Sequence, residues 1–263
     1  MKTTLGCIRR ADRDFKMITE GDRVAVGVSG GKDSLLLLHA LSLYRRVRRG
    51  DFSLYALMLT SGKEIPNASA IRALCGQLDV PLTLRHTELY EILFEARREE
   101  NPCALCAKIR RGMLCDLCLE LSCNKLALAH HREDALETLL MSLIFEGRLH
   151  TFHPKTWLSR SGVTVIRPMV YLPEKHVLHM KKELDLPVLE NPCPANGNTK
   201  RQEMKELLAR LSKQYPAIKD SMLSALQNDK QYGLWDKNQE DELLFPLLHS
   251  KHSQKRGQSQ QGT

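Results

Sequence analysis

From residue 20 to about residue 190, short apolar runs alternate with longer stretches of helical period. Val24–Val28 is a β-branched run bounded by glycine and predicts a buried strand. Leu54–Leu59 predicts a second strand, Leu82–Arg85 a short one, Leu126–Ala129 a further buried one, and Val163–Ile166 the last. Between them, Ser34–Arg48, Ala68–Leu78, Ala104–Leu121 and Glu133–Phe145 read as helices. Strand and helix in alternation predict an α/β fold with a parallel sheet covered on both faces. After Pro194 the pattern changes. Thr199–Gln214 and Ala217–Gln227 read as two amphipathic helices, with Pro216 opening the second. The last stretch, SKHSQKRGQSQQGT, is polar and basic and reads as disordered. The expected organisation is therefore a sheet domain over 1–195, a small helical appendage over 196–232 and a disordered tail over 233–263.

The strand at Val24 runs into Ser29-Gly-Gly-Lys-Asp-Ser34 and then into an apolar helix. Two glycines let the chain turn tightly and present backbone N–H groups to an anion. The following helix adds its N-terminal dipole. Ser29 and Ser34 offer hydroxyls, and Lys32 a full positive charge. Asp33 makes sense beside phosphates when a divalent metal bridges them. The pattern is not G-x-x-x-x-G-K-[ST], because Asp33 follows Lys32, and it is not G-x-G-x-x-G.

Charge and cysteine usage narrow the setting. Lys plus Arg is 39 against 31 for Asp plus Glu, a net charge of +8 that favours a polyanionic partner. The longest apolar run, Leu35–Leu43, is broken by His39 and Ser42 and is too short to cross a bilayer. The start, MKTTLGCIRRADRDF, lacks the apolar core of a signal peptide, so a cytoplasmic location without membrane contact is expected. In that compartment the 8 cysteines are thiols or metal ligands rather than disulfides.

Two C-x-x-C pairs, Cys103/Cys106 and Cys115/Cys118, invite a zinc reading. Helical geometry opposes it: nine residues turn the helix by about 900°, placing Cys106 and Cys115 on opposite sides and about 13.5 Å apart along the axis. Cys75, Cys115, Cys118 and Cys123 read as small buried hydrophobes. Cys103 and Cys106 stand at the N-terminal end of their helix, where thiolates are stabilised. Cys193, in Glu190-Asn-Pro-Cys-Pro-Ala195, is a third candidate. Three thiolates suit a [4Fe–4S] cluster with one iron left without a protein ligand. His130, His131 and Asp134 follow a strand, where open α/β sheets place ligand sites.

SGGKDS resembles the signature of the PP-loop ATP pyrophosphatases, and that resemblance implies an adenine-nucleotide α-hydrolase-like, Rossmann-like fold. CALCAKIRRGML, LALAHHREDALETLL, VIRPMVYLPEKHV and NPCPANGNTKRQEMKELL follow in the order seen in the TtcA-like tRNA 2-thiolation enzymes. The similarity spans roughly Arg9 to Asn228. It implies that Ser29, Gly30, Gly31, Lys32, Asp33 and Ser34 bind ATP with Mg2+, and that His130 and Asp134 belong to the same site. It implies that Cys103, Cys106 and Cys193 hold an iron–sulfur cluster and, with Asp33, carry catalysis. The implied reaction adenylates a cytidine carbonyl oxygen in a tRNA anticodon loop and replaces it with sulfur. The implied partners are tRNA, a sulfur donor such as a cysteine desulfurase, an electron donor and a second copy of the chain. The chain departs from the family pattern at Ala129, at Glu133, and at Thr60-Ser61-Gly62-Lys63, where relatives carry an acidic residue.

Basic residues flank the cysteines: Lys108, Arg110 and Arg111 after the first pair, and Lys200, Arg201 and Lys205 after Cys193. Both groups are expected to meet a phosphate backbone. Arg45, Arg46, Arg48 and Arg49 end a helix, as its dipole alone explains, and read as solvated surface. Two other readings stay open on these residues: a PP-loop thiolase for another nucleobase or a small molecule, and a non-catalytic metal-binding module on the same fold.

Overall fold

Val24, Ala25 and Val26 are wholly inaccessible to solvent, because their strand has neighbours on both edges and helices on both faces. The computed structural model describes residues 1–61, 68–88, 102–189 and 199–228. In chain order the elements are α1 (Lys2–Phe15), β1 (Arg23–Gly27), α2 (Lys32–Val47), β2 (Ser53–Ser61), α3 (Ala68–Gln77), β3 (Leu82–Thr87) and α4 (Pro102–Glu120). They continue with β4 (Lys125–Ala127), α5 (Arg132–Glu146), β5 (Lys155–Leu158), β6 (Val163–Ile166), α6 (Glu174–Glu183), α7 (Lys200–Gln214) and α8 (Ile218–Gln227). The unit that carries the sheet runs from Met1 to Leu223.

The sheet order is β3-β2-β1-β4-β6-β5. Every neighbouring pair is parallel except β5 with β6. The sheet is therefore mostly parallel, as expected, with one antiparallel edge strand that the sequence pattern did not mark. β1 pairs with β2 on one side and β4 on the other, with Val26 opposite both Ala56 and Ala127. The strand order reverses there, so the loops leaving β1 and β4 diverge and open a crevice at the carboxyl edge.

Alternation along the strands divides the core. Val24 and Val26 face a large cluster with Ile8, Leu36, Leu41, Ile71 and Val177 from α1, α2, α3 and α6. Ala25, Leu57, Leu126 and Val165 face a smaller one completed by Cys115, Leu117 and Cys118 of α4 and by Cys123. Burial raises the thiol pKa values of Cys75, Cys115, Cys118 and Cys123, which keeps them neutral packing groups. α4 runs back under the sheet into β4, so its N-terminal turns lie at the carboxyl edge.

Arg48 departs from its expected role as solvated surface. Its guanidinium donates to Asp12 Oδ2 at 3.0 Å and to the Ile18 carbonyl at 2.9 Å, and also binds Asp51. It joins the end of α2 to the end of α1. Among the described residues no helix is long and apolar enough to cross a membrane.

Candidate active site at the carboxyl edge of β1 and β4

The loop after β1 is folded on its own hydroxyls. The Ser29 N–H donates to Ser34 Oγ at 3.1 Å, the Ser29 hydroxyl donates to the same oxygen at 3.2 Å, and the Ser34 hydroxyl donates to the Gly31 carbonyl at 2.9 Å. Gly30 has φ +81°, a left-handed conformation that glycine adopts without strain. Gly31 caps α2, leaving the helix's first N–H groups toward the crevice. Lys32 Nζ lies 3.0 and 2.9 Å from the two Asp33 carboxylate oxygens and 3.6 Å from Glu174 Oε1.

The turn after β4 supplies the other side. His131 caps α5, and its N–H donates to Asp134 Oδ2 at 2.8 Å. The buried His131 ring stands 3.6 Å from Glu133 and Asp134 through Nδ1 and 3.8 Å from Asp33 through Nε2. Burial opposes its charge, but Glu133, Asp134 and Asp33 outweigh it and raise the pKa. Glu133 is buried too and collects donors: Arg132 at 2.9 Å, the Glu174 N–H at 2.7 Å and Lys219 at 3.4 Å. Burial is again overcome, here by His131, Arg132 and the Glu174 amide, and Glu133 stays ionised well below the usual range. This residue, a departure from the family pattern, thus binds α5 to the start of α6.

His130 behaves in the opposite way. Its ring packs on Phe152 at 4.8 Å, and burial together with the Arg167 charge pushes its pKa down to about 4. It is a neutral imidazole. Adjacent histidines thus stand in opposite environments.

These two turns and α4 enclose one cleft of about 390 Å³. Ser29, Asp33 and Ser34 line it from the β1 side, Ala129, His130 and Asp134 from the β4 side, and Ala107, Arg110, Arg111 and Leu114 from α4. Asp33 and Asp134, both on its wall, are oxygen donors of the kind a divalent cation uses. Cys106 directly precedes Ala107 in α4 and is half-buried. Cys103 lies one turn earlier, at the second residue of the helix; its side chain lies outside the described residues, as does Cys193. The cysteine pair has the chemistry a cluster needs: two cysteine positions one helical turn apart in sequence, near a helix N-terminus that favours thiolate. Among the described residues no three His, Cys, Asp or Glu side chains converge on a metal position.

The basic groups divide. Lys200 pairs with Glu203 at 3.0 Å, Arg201 with Asp134 at 3.3 Å and Glu137 at 3.5 Å, and Lys205 with Glu174 at 2.7 Å. These three were expected to meet phosphate; instead they fasten α7 to itself, to α5 and to α6. Lys108, Arg110 and Arg111 have no carboxylate partner among the described residues. The sequence reading also passed over Glu137, Arg167 and Glu174. An acid inside the apolar run Ala135-Leu-Glu-Thr-Leu-Leu140 was the available signal for Glu137. Glu174 could have been noticed as an acid opening a helix after Pro173. Nothing local marks Arg167 as buried.

Comparison with known proteins places this geometry. A family model described as the PP-loop domain matches residues 7–211. A protein named tRNA-cytidine(32) 2-sulfurtransferase from Pelobacter propionicus is 42% identical over 224 residues, which is 84% of this chain and 83% of that protein. One of the same name from Geobacter sulfurreducens is 39% identical over 230 residues, covering 86% and 90%. Among solved structures, the U34-tRNA thiolase NcsA from Methanococcus maripaludis with its [4Fe–4S] cluster superposes with a TM-score of 0.71. It is 25% identical, and the match covers 90% of this chain and 80% of that one.

Proposed function

This chain belongs to the PP-loop family, together with the tRNA-cytidine(32) 2-sulfurtransferases, and we propose that it is itself an ATP-dependent tRNA sulfurtransferase that makes 2-thiocytidine. The observation that carries this reading is the single cleft shared by Ser29-Gly-Gly-Lys-Asp-Ser34 and the helix of Cys103 and Cys106. A phosphate-activating site and a cysteine-bearing helix on one cavity are what replacement of oxygen by sulfur requires.

The residues divide the work. The backbone around Gly30 and Gly31, the α2 N-terminus and the Ser29 and Ser34 hydroxyls receive the β- and γ-phosphates of ATP. Lys32 exchanges its present carboxylates for phosphate oxygen, and its charge stabilises the departing pyrophosphate. Asp33 and Asp134 hold Mg2+. The cytidine carbonyl oxygen attacks the α-phosphate, pyrophosphate leaves, and the oxygen becomes part of a good leaving group, AMP. His131, whose pKa is raised by Glu133, Asp134 and Asp33 against its burial, favours a positive charge that offsets those carboxylates beneath the nucleotide. Neutral His130 offers a hydrogen-bonding ring without adding charge where the base enters.

Cys103, Cys106 and Cys193 are the ligands proposed for a [4Fe–4S] cluster. When bound, the cluster supplies an iron on which a sulfur nucleophile can be carried. The pair belongs to the helix that also carries Arg110 and Arg111. A sulfur donor such as a cysteine desulfurase, an electron donor, a cytoplasmic setting and a homodimer complete the reading.

Mass spectrometry of tRNA nucleosides from cells with and without the gene tests it. Loss of 2-thiocytidine, restored by the intact gene but not by Cys103→Ala, is the expected result. Unchanged 2-thiocytidine would overturn the substrate assignment.

A further inference from the structure

Glu174, the first residue of α6, shares one oxygen between two lysines. Its Oε1 lies 2.7 Å from Lys205 Nζ of α7 and 3.6 Å from Lys32 Nζ of the phosphate loop. The Glu174 side chain is only 15% exposed. The residue is fixed through its backbone, where its N–H donates to Glu133 Oε2 at 2.7 Å. Burial opposes its charge, but Lys205 first, and then His131 and Lys32, overcome it and hold the carboxyl pKa below its ordinary value.

Lys32 is held by Asp33 as well as by Glu174, so each carboxylate it leaves must be neutralised by another group. Asp33 lines the cleft and is within reach of the cations that accompany a nucleotide. Glu174 lies outside the cleft wall. Without a second partner it would become a mostly buried, unpaired anion, which is costly. Lys205 is that second partner, and its helix does not need it for docking. Met204 and Leu208 are buried, and Arg201 binds Asp134 and Glu137. The Lys205 side chain is 46% exposed, and among the described residues Glu174 is its one carboxylate within ion-pair distance.

We infer that Lys205 is a positioning residue for Lys32: it stays on Glu174 as the counter-ion when Lys32 leaves for a phosphate of the nucleotide, so that release of the loop lysine strands no buried charge. The inference rests on the reading of Ser29–Ser34 as the ATP loop. Two ammonium groups on one oxygen also repel each other, so the departure of Lys32 relieves a repulsion as it removes an attraction. Without Lys205, Glu174 would hold Lys32 alone and compete with phosphate for it.

The test measures equilibrium binding of ATP with Mg2+ to the full chain, and thermal unfolding without ATP. Lys205→Met is expected to weaken ATP binding about tenfold, because Lys32 then stays on Glu174. Lys205→Arg keeps the charge and is expected to restore binding to within about twofold of wild type. Combining Lys205→Met with Glu174→Gln is expected to regain most of the loss, since the amide requires no cation; a purely structural role would make the two losses add. Lys213→Met, at the exposed far end of the same helix, removes the same charge and is expected to leave ATP affinity unchanged. Thermal unfolding of Lys205→Met is expected to stay close to wild type, as for other exposed side chains, which separates the effect from loss of fold. Wild-type ATP affinity in Lys205→Met overturns the inference. So does a double variant that binds more weakly than Lys205→Met, or a loss of equal size in Lys213→Met. A wild-type chain that binds no ATP refutes the reading of the loop and the inference with it, whereas wild-type binding with an unaffected Lys205→Met refutes the inference alone.

Discussion

Leu189 rests on Gly30: a Cβ at position 30 would come within 2.8 Å of Leu189 Cδ1, and the Leu189 N–H donates to the Gly30 carbonyl at 3.0 Å. The residue four positions before Cys193 is thereby seated on the phosphate loop. Gly30→Ala adds that overlap to the strain of a left-handed alanine, about 1–2 kcal/mol. ATP affinity is expected to fall at least tenfold. Adding Leu189→Ala should remove the Cδ1 and Cγ contacts but keep the one to Cβ at 3.1 Å and the backbone strain, recovering only part of the loss. Equilibrium ATP binding by the single and double variants checks this.

Asp12 is expected to be a large contributor to stability. Its two oxygens accept from the Ile18 N–H at 2.8 Å, the Tyr44 hydroxyl at 2.7 Å and Arg48 at 3.0 Å. Burial first, and then the Asp12 carboxylate, push the Tyr44 pKa up to about 12, so the phenol remains a donor. Asp12→Ala leaves the buried Tyr44 hydroxyl and the Ile18 N–H without their acceptor, while Arg48 keeps only Asp51 and the Ile18 carbonyl. The expected cost is about 3 kcal/mol, read from urea unfolding.

Glu137 should make stability fall as pH rises. Burial, and next the Asp134 charge, push its pKa up from 4.5 to about 7. The folded state therefore holds a proton that the unfolded state has released between pH 4.5 and 7. Stability declines across that window, and the cost is complete above it, on the order of 3 kcal/mol. Glu137→Gln is expected to be more stable than wild type at pH 8 and equal to it below pH 4.5. Thermal unfolding at the two pH values measures the difference.

Cys106→Ser tests the cluster separately from the nucleotide site. The side chain is half-buried at the second turn of α4, outside the packed cysteines of the core. The variant is expected to fold and bind ATP normally. Iron and acid-labile sulfide after anaerobic reconstitution should fall to background. Cys118→Ser, changed inside the core, should keep the iron and lose stability instead.

Local chemistry made half of the site readable. The turn at Gly30, the strand before it, and α4 as one helix from Pro102 to Glu120 all follow from adjacent residues. What escaped depended on distant partners. α1 is strongly amphipathic and buries Thr4, Ile8, Ala11 and Asp12, but only Ile8 and Ala11 of that face are apolar and charged residues surround them, so it has no apolar run to mark it. β5 is an edge strand with alternate residues exposed, in which Lys155 and Trp157 look like loop. Arg48 looks like the charged end of a helix until Asp12, 36 residues away, is beside it. Arg201 and Lys205 look free for phosphate until α7 lies against Asp134 and Glu174.

The position of β1 between β2 and β4 has a consequence for the order of assembly. During synthesis β1 can pair with β2 as soon as Ser61 has emerged, but its other partner begins at Lys125. For that interval one side of the future central strand is an open template for a foreign strand. The nucleotide site cannot be complete either, since His131 and Asp134 follow β4. A nascent chain shorter than about α5 should therefore bind nucleotide more weakly than the finished protein. The slow, long-range closure of β1 on β4 is then the step at which the chain becomes both safe from misassembly and complete as a nucleotide site.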